Sequence, residues 1–173
     1  SEVNNFICIG RIHPQKGYDI LINAVSKNNN KNFKIKIYGY GNDNLQAEYQ
    51  KMINEKNLNK YISFEGKLTD MTIINKFDAL ILPSRYEGFP NVALEAMSFG
   101  LPVLALPFKG GINEIVDNDV NGRIAKNMCV KSLCEILEKF NKDDYNASDI
   151  VKSITQFDEK IILKKYIELF INV

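Results

Sequence analysis

The 173-residue sequence has no tryptophan, a single histidine and three cysteines. Cys8, Cys129 and Cys134 make an odd count and form no Cys-x-x-Cys pair, which argues against a disulfide framework. With His13 alone and the cysteines scattered, no zinc site is expected. Cys8 sits in an apolar run and reads as a buried free thiol, which fits a reducing, cytoplasmic compartment. Neither sign of charge dominates: 22 basic residues face 21 acidic ones, for a net charge of +1. Nothing therefore draws the whole molecule to nucleic acid or to an anionic membrane, and any anion site must be local. No apolar run approaches the roughly 20 residues that cross a bilayer, and the start carries no secretory leader pattern. The chain opens at Ser1 rather than at Met, which suggests an excised piece or a processed product.

What is present is an alternation. Residues 5–10 (NFICIG), 33–39, 61–66, 78–83, 101–106 and 122–125 are short apolar, β-branched runs that predict strands. Several are apolar nearly throughout, as parallel strands covered on both faces must be. Helical patterns fall between them, over 18–27, 44–57, 70–77, 91–100, 130–140 and 158–170. In the first, Ile20, Leu21, Ala24 and Val25 share a face, and Gly100 is a stop signal for the fourth. The polar stretch 141–149 reads as a surface connection. The expectation is one α/β domain over 1–173, with an open, six-stranded parallel sheet and helices on both faces. Ligands of such sheets sit beyond the carboxyl ends of the strands, so the loops there carry the search.

The loop GRIHPQKG, residues 10–17, places Arg11 and Lys16 after the first strand, between Gly10 and Gly17. A guanidinium fork and an ammonium suit a diphosphate, although the residues alone leave a solvated surface loop open. Gly39 and Gly41 in YGYGN let backbone approach a ligand, or simply make a tight turn. This is not the full Gly-x-Gly-x-x-Gly fingerprint. After the third strand, Lys67 and Leu68 could offer backbone groups to a flat base, and Asp70 can cap the next helix.

The richest stretch is SRYEGFPNVALEAM, residues 84–97, with Glu87 and Glu95 separated by seven residues. Pro90 suits a first helical turn, and the N–H groups beside it favour an anion or a sugar hydroxyl. Eight helical residues rise about 12 Å, so Glu87 must fold back through Gly88 to share a ligand with Glu95. Paired acids suit vicinal hydroxyls. Val92, Ala93, Leu94, Ala96, Met97 and Phe99 make the helix apolar nearly all round, and a carboxylate on a buried helix needs a partner. Gly110 and Gly111 precede a further short helix at the same edge, where Glu114 could brace the loop.

In this order, GRIHPQKG, YGYG, FEGKLTD, FDALILPSRYEGFPNVALEAMSFGLPVLA, GGINEIV and the Asn-Gly pair at 121–122 resemble family 4 retaining glycosyltransferases over nearly the whole chain. The resemblance implies the GT-B architecture of two Rossmann-like lobes across a cleft. This chain matches the C-terminal, donor-binding lobe, and the N-terminal acceptor lobe is outside it. It further implies that Arg11 and Lys16 hold the donor diphosphate. Glu87 lies near the donor sugar and Glu95 holds the ribose. Backbone of Gly88, Phe89, Pro90, Asn91 and Val92 meets sugar or phosphate oxygens, while Gly10 and Gly39 approach the nucleotide and Lys67 and Leu68 border the base. Glu87, Arg11 and Lys16 are the catalytic set, and neither metal nor other cofactor is expected.

The implied activity is transfer of a sugar, with retention, from a nucleoside-diphosphate donor to a saccharide or lipid-linked acceptor. UDP is the commoner donor base, and GDP and ADP stay open. The Asn-, Lys- and Ile-rich composition hints at bacterial surface polysaccharide or glycolipid synthesis, with peripheral membrane association through the other lobe. This lobe alone is expected to bind nucleotide and to transfer poorly. A glycoside hydrolase also uses two carboxylates but needs no diphosphate site. A non-catalytic nucleotide-sugar-binding lobe is the alternative, and a dehydrogenase lacks its glycine fingerprint.

Overall fold

A computed structural model describes residues 3–158. Six parallel strands, β1 (Asn4–Ile9), β2 (Phe33–Tyr38), β3 (Ile62–Gly66), β4 (Ala79–Leu82), β5 (Val103–Ala105) and β6 (Gly122–Ile124), form one sheet in the order β3-β2-β1-β4-β5-β6. Among the described residues, six α-helices accompany them: α1 (Tyr18–Lys27), α2 (Asp43–Glu55), α3 (Asn91–Ser98), α4 (Ile112–Ile115), α5 (Val130–Glu138) and α6 (Ala147–Ser153). The sequence therefore does fold as the open α/β sheet that its alternating pattern predicts.

Strand periodicity divides the core into two layers. Phe6, Cys8, Ile35, Ile37, Ile81 and Leu104 pack with residues of α1, α2 and α5, such as Leu21, Ile53 and Leu133. Ile7, Leu80, Leu82, Val103 and Ala105 pack with α3, α4 and α6 through Ala96, Met97, Ile112 and Ile150. Both β4 and β5 are buried at every residue, which is why their sequences carry no polar alternation. Cys8 lies in this core as a free thiol, and burial pushes its pKa well up.

Several local expectations are corrected. Residues 70–77 form a 3-10 segment, Met71–Lys76, capped by Asp70 through Thr72 N at 2.8 Å. Its C-cap Phe77 is already extended and β4 begins two residues further on, at Ala79, so the segment has no room for a longer α-helix. The stretch 141–149 is more than a connection. It holds a 3-10 turn, Lys142–Asp144, and the start of α6, whose N-cap Asn146 accepts from Ser148 N and Asp149 N. In α1, Leu21, Ala24 and Val25 are buried as read and Ile22 joins them, whereas Ile20 is only half-buried. The helix ending at Gly100 behaves as read: α3 stops at Ser98, and Gly100 takes a φ of 76°. The helical pattern at 158–170 lies outside the described residues but for Asp158.

Strand order has one consequence for function. The chain leaves β1 toward β2 and β3, then crosses back to β4 on the other side of β1. The loops after β1 and β4 thus diverge to opposite faces and open a crevice between them. Those two loops carry Arg11, Lys16 and Glu87.

Candidate functional site

The loop after β1 is built to hold its cations in place. His13, the one histidine, accepts a hydrogen bond at Nδ1 from Gln15 N and so caps a 3-10 turn over Pro14–Lys16. Its Lys16 comes last in that turn, and its stem lies over Gly10, where an added Cβ would stand 2.9 Å from Lys16 Cε. The Tyr18 hydroxyl donates to Gly10 O at 3.0 Å and fixes the backbone from which Arg11 projects. On the far side, Ile12 N donates to Tyr40 O, and Gly39 N to Gly66 O, at 2.9 and 2.8 Å. The loops after β1, β2 and β3 are therefore zipped together past the ends of their strands.

The loop after β4 is stitched to the first. Arg85 N donates to Gln15 O at 2.8 Å, and Gln15 Nε2 donates to Tyr86 O at 2.9 Å. Glu87 N donates to Lys109 O at 3.2 Å. A Cβ on Gly110 would stand 1.9 Å from Glu87 O, so only glycine admits this approach, and its φ of 106° also suits glycine.

These loops bring Lys16 and Glu87 together. Lys16 Nζ lies 2.6 Å from Glu87 Oε1, with side-chain exposures of 16% and 11%. The same Oε1 accepts from Ser84 Oγ at 2.7 Å, and Ser84 is buried. Among the described residues, Glu87 Oε2 has only Gln15 Nε2, at 3.5 Å. Arg11 is exposed and has no side-chain hydrogen bond or ion pair among the described residues.

A cavity of about 330 Å³ opens in front of this pair. It is lined by Gly10, Arg11, Lys16, Glu87, Phe89, Pro90, Asn91, Val92 and Glu95, with Ile9 and Gln15 between them. The N-terminus of α3 points into this ring without a side-chain cap, and Pro90 stands at the cap position. Among the described residues, no group of His, Cys, Asp and Glu gathers that could hold a metal ion.

Four residues named from sequence stand apart from the cavity wall. Gly39 serves backbone packing, since its Cβ would meet Gly10 O at 1.9 Å. Gly88 sits in the turn between Glu87 and Phe89, in open space. Lys67 places its ammonium 5.5 Å from the Tyr40 ring, and Leu68 follows it, both at the same sheet edge. Glu95 does not lie on a buried helix face, contrary to what its apolar neighbours suggest. It is exposed, because α3 buries only Ala93, Ala96 and Met97. It reaches the cavity from the solvent side of the helix. Sequence reasoning misses Gln15 and Ser84, although both lie inside the quoted loops. A serine or glutamine is legible as a carboxylate's partner only once the fold brings them together.

Residues 1–157 match the family model for glycosyl transferases group 1. The chain belongs to that family. It is 27% identical over 168 residues to the poly(ribitol-phosphate) alpha-N-acetylglucosaminyltransferase of Staphylococcus aureus strain COL, covering 94% of this chain and 34% of that protein. The apo form of the lipopolysaccharide outer core galactosyltransferase WaaB has the same fold, with a TM-score of 0.89 at 21% identity, over 100% of this chain and 50% of that one. Anabaena Alr3699/HepE in complex with UDP superposes with a TM-score of 0.84 at 25% identity, over 99% of this chain and 50% of its own. The chain thus spans about a third of the first relative and half of each solved neighbour. It is a single lobe of the GT-B glycosyltransferase fold. No helix among the described residues of this group 1 lobe is long and apolar enough to cross a membrane.

Proposed function

We propose that this lobe binds the nucleotide-sugar donor of a retaining glycosyltransferase, with UDP as the base-bearing diphosphate. The observation that carries the reading is the convergence of Arg11, Lys16, Glu87 and Glu95 on one cavity at the crevice between β1 and β4. Two cations and an uncapped helix N-terminus suit a diphosphate, and two carboxylates suit the hydroxyls on either side of it. The UDP complex of HepE supports the choice of base.

Arg11 and Lys16 take the diphosphate, Glu87 faces the donor sugar, and Glu95 accepts from the ribose hydroxyls. Backbone from Gly88 to Val92 serves sugar or phosphate oxygens, while Lys67 and Leu68 border the base. When the bond from anomeric carbon to phosphate oxygen breaks, negative charge gathers on the departing diphosphate. Fixed cations stabilise that charge as it develops, with no metal needed. A carboxylate near the sugar favours the positive character of its anomeric carbon. The acceptor, a saccharide or lipid-linked saccharide of a bacterial surface polymer, is held by a second lobe. That lobe also mediates any contact with the cytoplasmic face of the membrane. The Staphylococcus aureus relative, named for transfer to poly(ribitol-phosphate), supports this class of acceptor. Alone, this lobe turns over poorly.

A thermal-shift and calorimetric panel of UDP, GDP and ADP against this chain tests the reading. A ligand that binds only the folded form at a hundred times its Kd adds about 2.7 kcal/mol, or roughly 5–10 °C in Tm for a domain of this size. UDP should give that shift. Absence of a shift with all three nucleotides would overturn the proposal. In the longer, two-lobed protein, Glu87→Ala should abolish transfer, and intact transfer would reassign the lobe to non-catalytic nucleotide-sugar binding.

A further inference from the structure

The two cations of the cavity are not equivalent. Arg11 has no ion pair among the described residues, whereas Lys16 is already engaged by Glu87 at 2.6 Å. Lys16 has little freedom to swing away, because its stem lies on Gly10. Glu87 is equally fixed: Ser84 Oγ holds Oε1, the backbone N–H is bonded to Lys109 O, and Gln15 stands behind Oε2. An incoming diphosphate must therefore share the Lys16 ammonium with a carboxylate that stays where it is. Like charges brought this close in a half-buried site repel. The open acceptor, Oε2, is satisfied only by a ligand that carries donor groups beside its phosphates, and a sugar hydroxyl is such a group.

We propose that Glu87 is a built-in counter-ion of Lys16 that makes the cavity discriminate between sugar-bearing nucleoside diphosphates and bare diphosphates. This rests on the donor-site reading above. An intact donor offsets the repulsion with hydroxyl hydrogen bonds to Oε2. The nucleoside diphosphate left after transfer has lost those hydroxyls and has gained a negative charge, so it faces the carboxylate without compensation and departs more readily. Ser84 and Gln15 are positioning residues in this scheme, holding the carboxylate in place while Lys16 is shared with phosphate.

The test is calorimetric titration of this chain with UDP, inorganic pyrophosphate, UDP-glucose and UDP-galactose, at low salt. Glu87→Gln and Glu87→Ala are the variants, with folding verified by circular dichroism, and either one suffices if the other fails to fold. Both should bind UDP and pyrophosphate about fivefold more tightly than wild type, within the range of modest charge-pair effects. The advantage of the sugar nucleotide over UDP should shrink. In Lys16→Gln/Glu87→Gln the gain relative to Lys16→Gln should shrink to what direct repulsion alone contributes. Folded Glu87 variants that bind UDP and pyrophosphate as wild type does, or more weakly, would overturn the counter-ion role while wild-type UDP binding upholds the donor site. A gain undiminished by the loss of Lys16 would overturn it too. Failure of wild type and variants alike to bind any of the four ligands would overturn both readings.

Discussion

Arg85 grips Asp19 with both terminal nitrogens, at 2.9 and 2.6 Å, and reaches Pro14 O with one of them at 2.7 Å. A residue of the β4 loop is thus clamped to the first turn of α1 and to the loop that carries Lys16. Burial pushes the Asp19 carboxyl up, but the Arg85 hydrogen bonds and charge outweigh it and hold its pKa below the ordinary 3.8. A depressed carboxyl contributes stability that is complete above the unfolded value and is lost as pH falls through the folded one. The pair is about a third exposed, so screening reduces its worth to roughly 1 kcal/mol or less. Asp19→Asn should lower the unfolding free energy at pH 7 by that amount, read as a lower urea midpoint. The gap to wild type should close as pH falls below 3.8, and a gap that stays constant to lower pH would rule out the charge. Arg85→Lys should recover little, since an ammonium cannot fork.

Tyr18 gives the opposite limb of the pH profile. Its ring is buried, and burial first, then the nearby Cys8 and Glu87, raise its pKa well above the ordinary 10.0. The folded chain keeps the phenol neutral where the unfolded chain ionises. The contribution is therefore complete below pH 10 and declines as pH rises beyond it. Tyr18→Phe deletes the bond to Gly10 O. It should cost about 1–2 kcal/mol at neutral pH and remove this part of the alkaline loss. Urea melts at pH 8 and pH 11 measure both effects.

How far the sequence could be read depended on what each residue's role rests on. The buried strands β4 and β5 announced themselves because burial on both faces leaves only apolar side chains. The grouping of Arg11, Lys16, Glu87 and Glu95 was legible once the sheet was recognised as parallel, because loops after its strands share one edge. α6 stayed hidden because its start lies in a polar run and Ile150 is its one buried residue. Residues 70–77 carry a helical pattern, but their length was set by the strand waiting behind them. Glu95 stands out in the sequence for a reason that does not hold: hydrophobic side chains surround it along the chain, yet Phe99 and half-buried Val92 and Leu94 leave one flank of α3 open. Two partners of Glu87, Lys16 and Gln15, lie 71 and 72 positions away along the chain, which no local pattern encodes.

Gly110 has a more severe role than its place in a loop suggests. Its φ of 106° and the 1.9 Å that would separate an added Cβ from Glu87 O leave no space for a side chain. Gly110→Ala should push the Glu87 turn outward, at a stability loss on the order of 2–4 kcal/mol. Nucleotide binding should fall with it, because the displaced turn carries both Glu87 and the entry to α3. A melting temperature and UDP affinity equal to wild type would show that the loop yields freely. Gly88→Ala is the control for stability, since nothing lies within 4 Å of its Cβ position.

Glu95 allows stability and recognition to be separated. Its side chain is exposed and has no hydrogen bond or ion pair among the described residues, so folding gains little from its charge. Glu95→Ala should leave stability within about 0.5 kcal/mol of wild type, as other such surface changes do. Its place on the cavity wall leaves the carboxylate within reach of a ligand bound there. A carboxylate that accepts from ribose hydroxyls should make this chain prefer UDP to its 2′-deoxy analogue by about tenfold, the scale of one charge-assisted hydrogen bond. Glu95→Ala should erase that preference by weakening UDP, with the deoxy ligand little changed. Equal binding of both ligands by the wild type would remove Glu95 from the nucleoside and leave it a solvated helix acid.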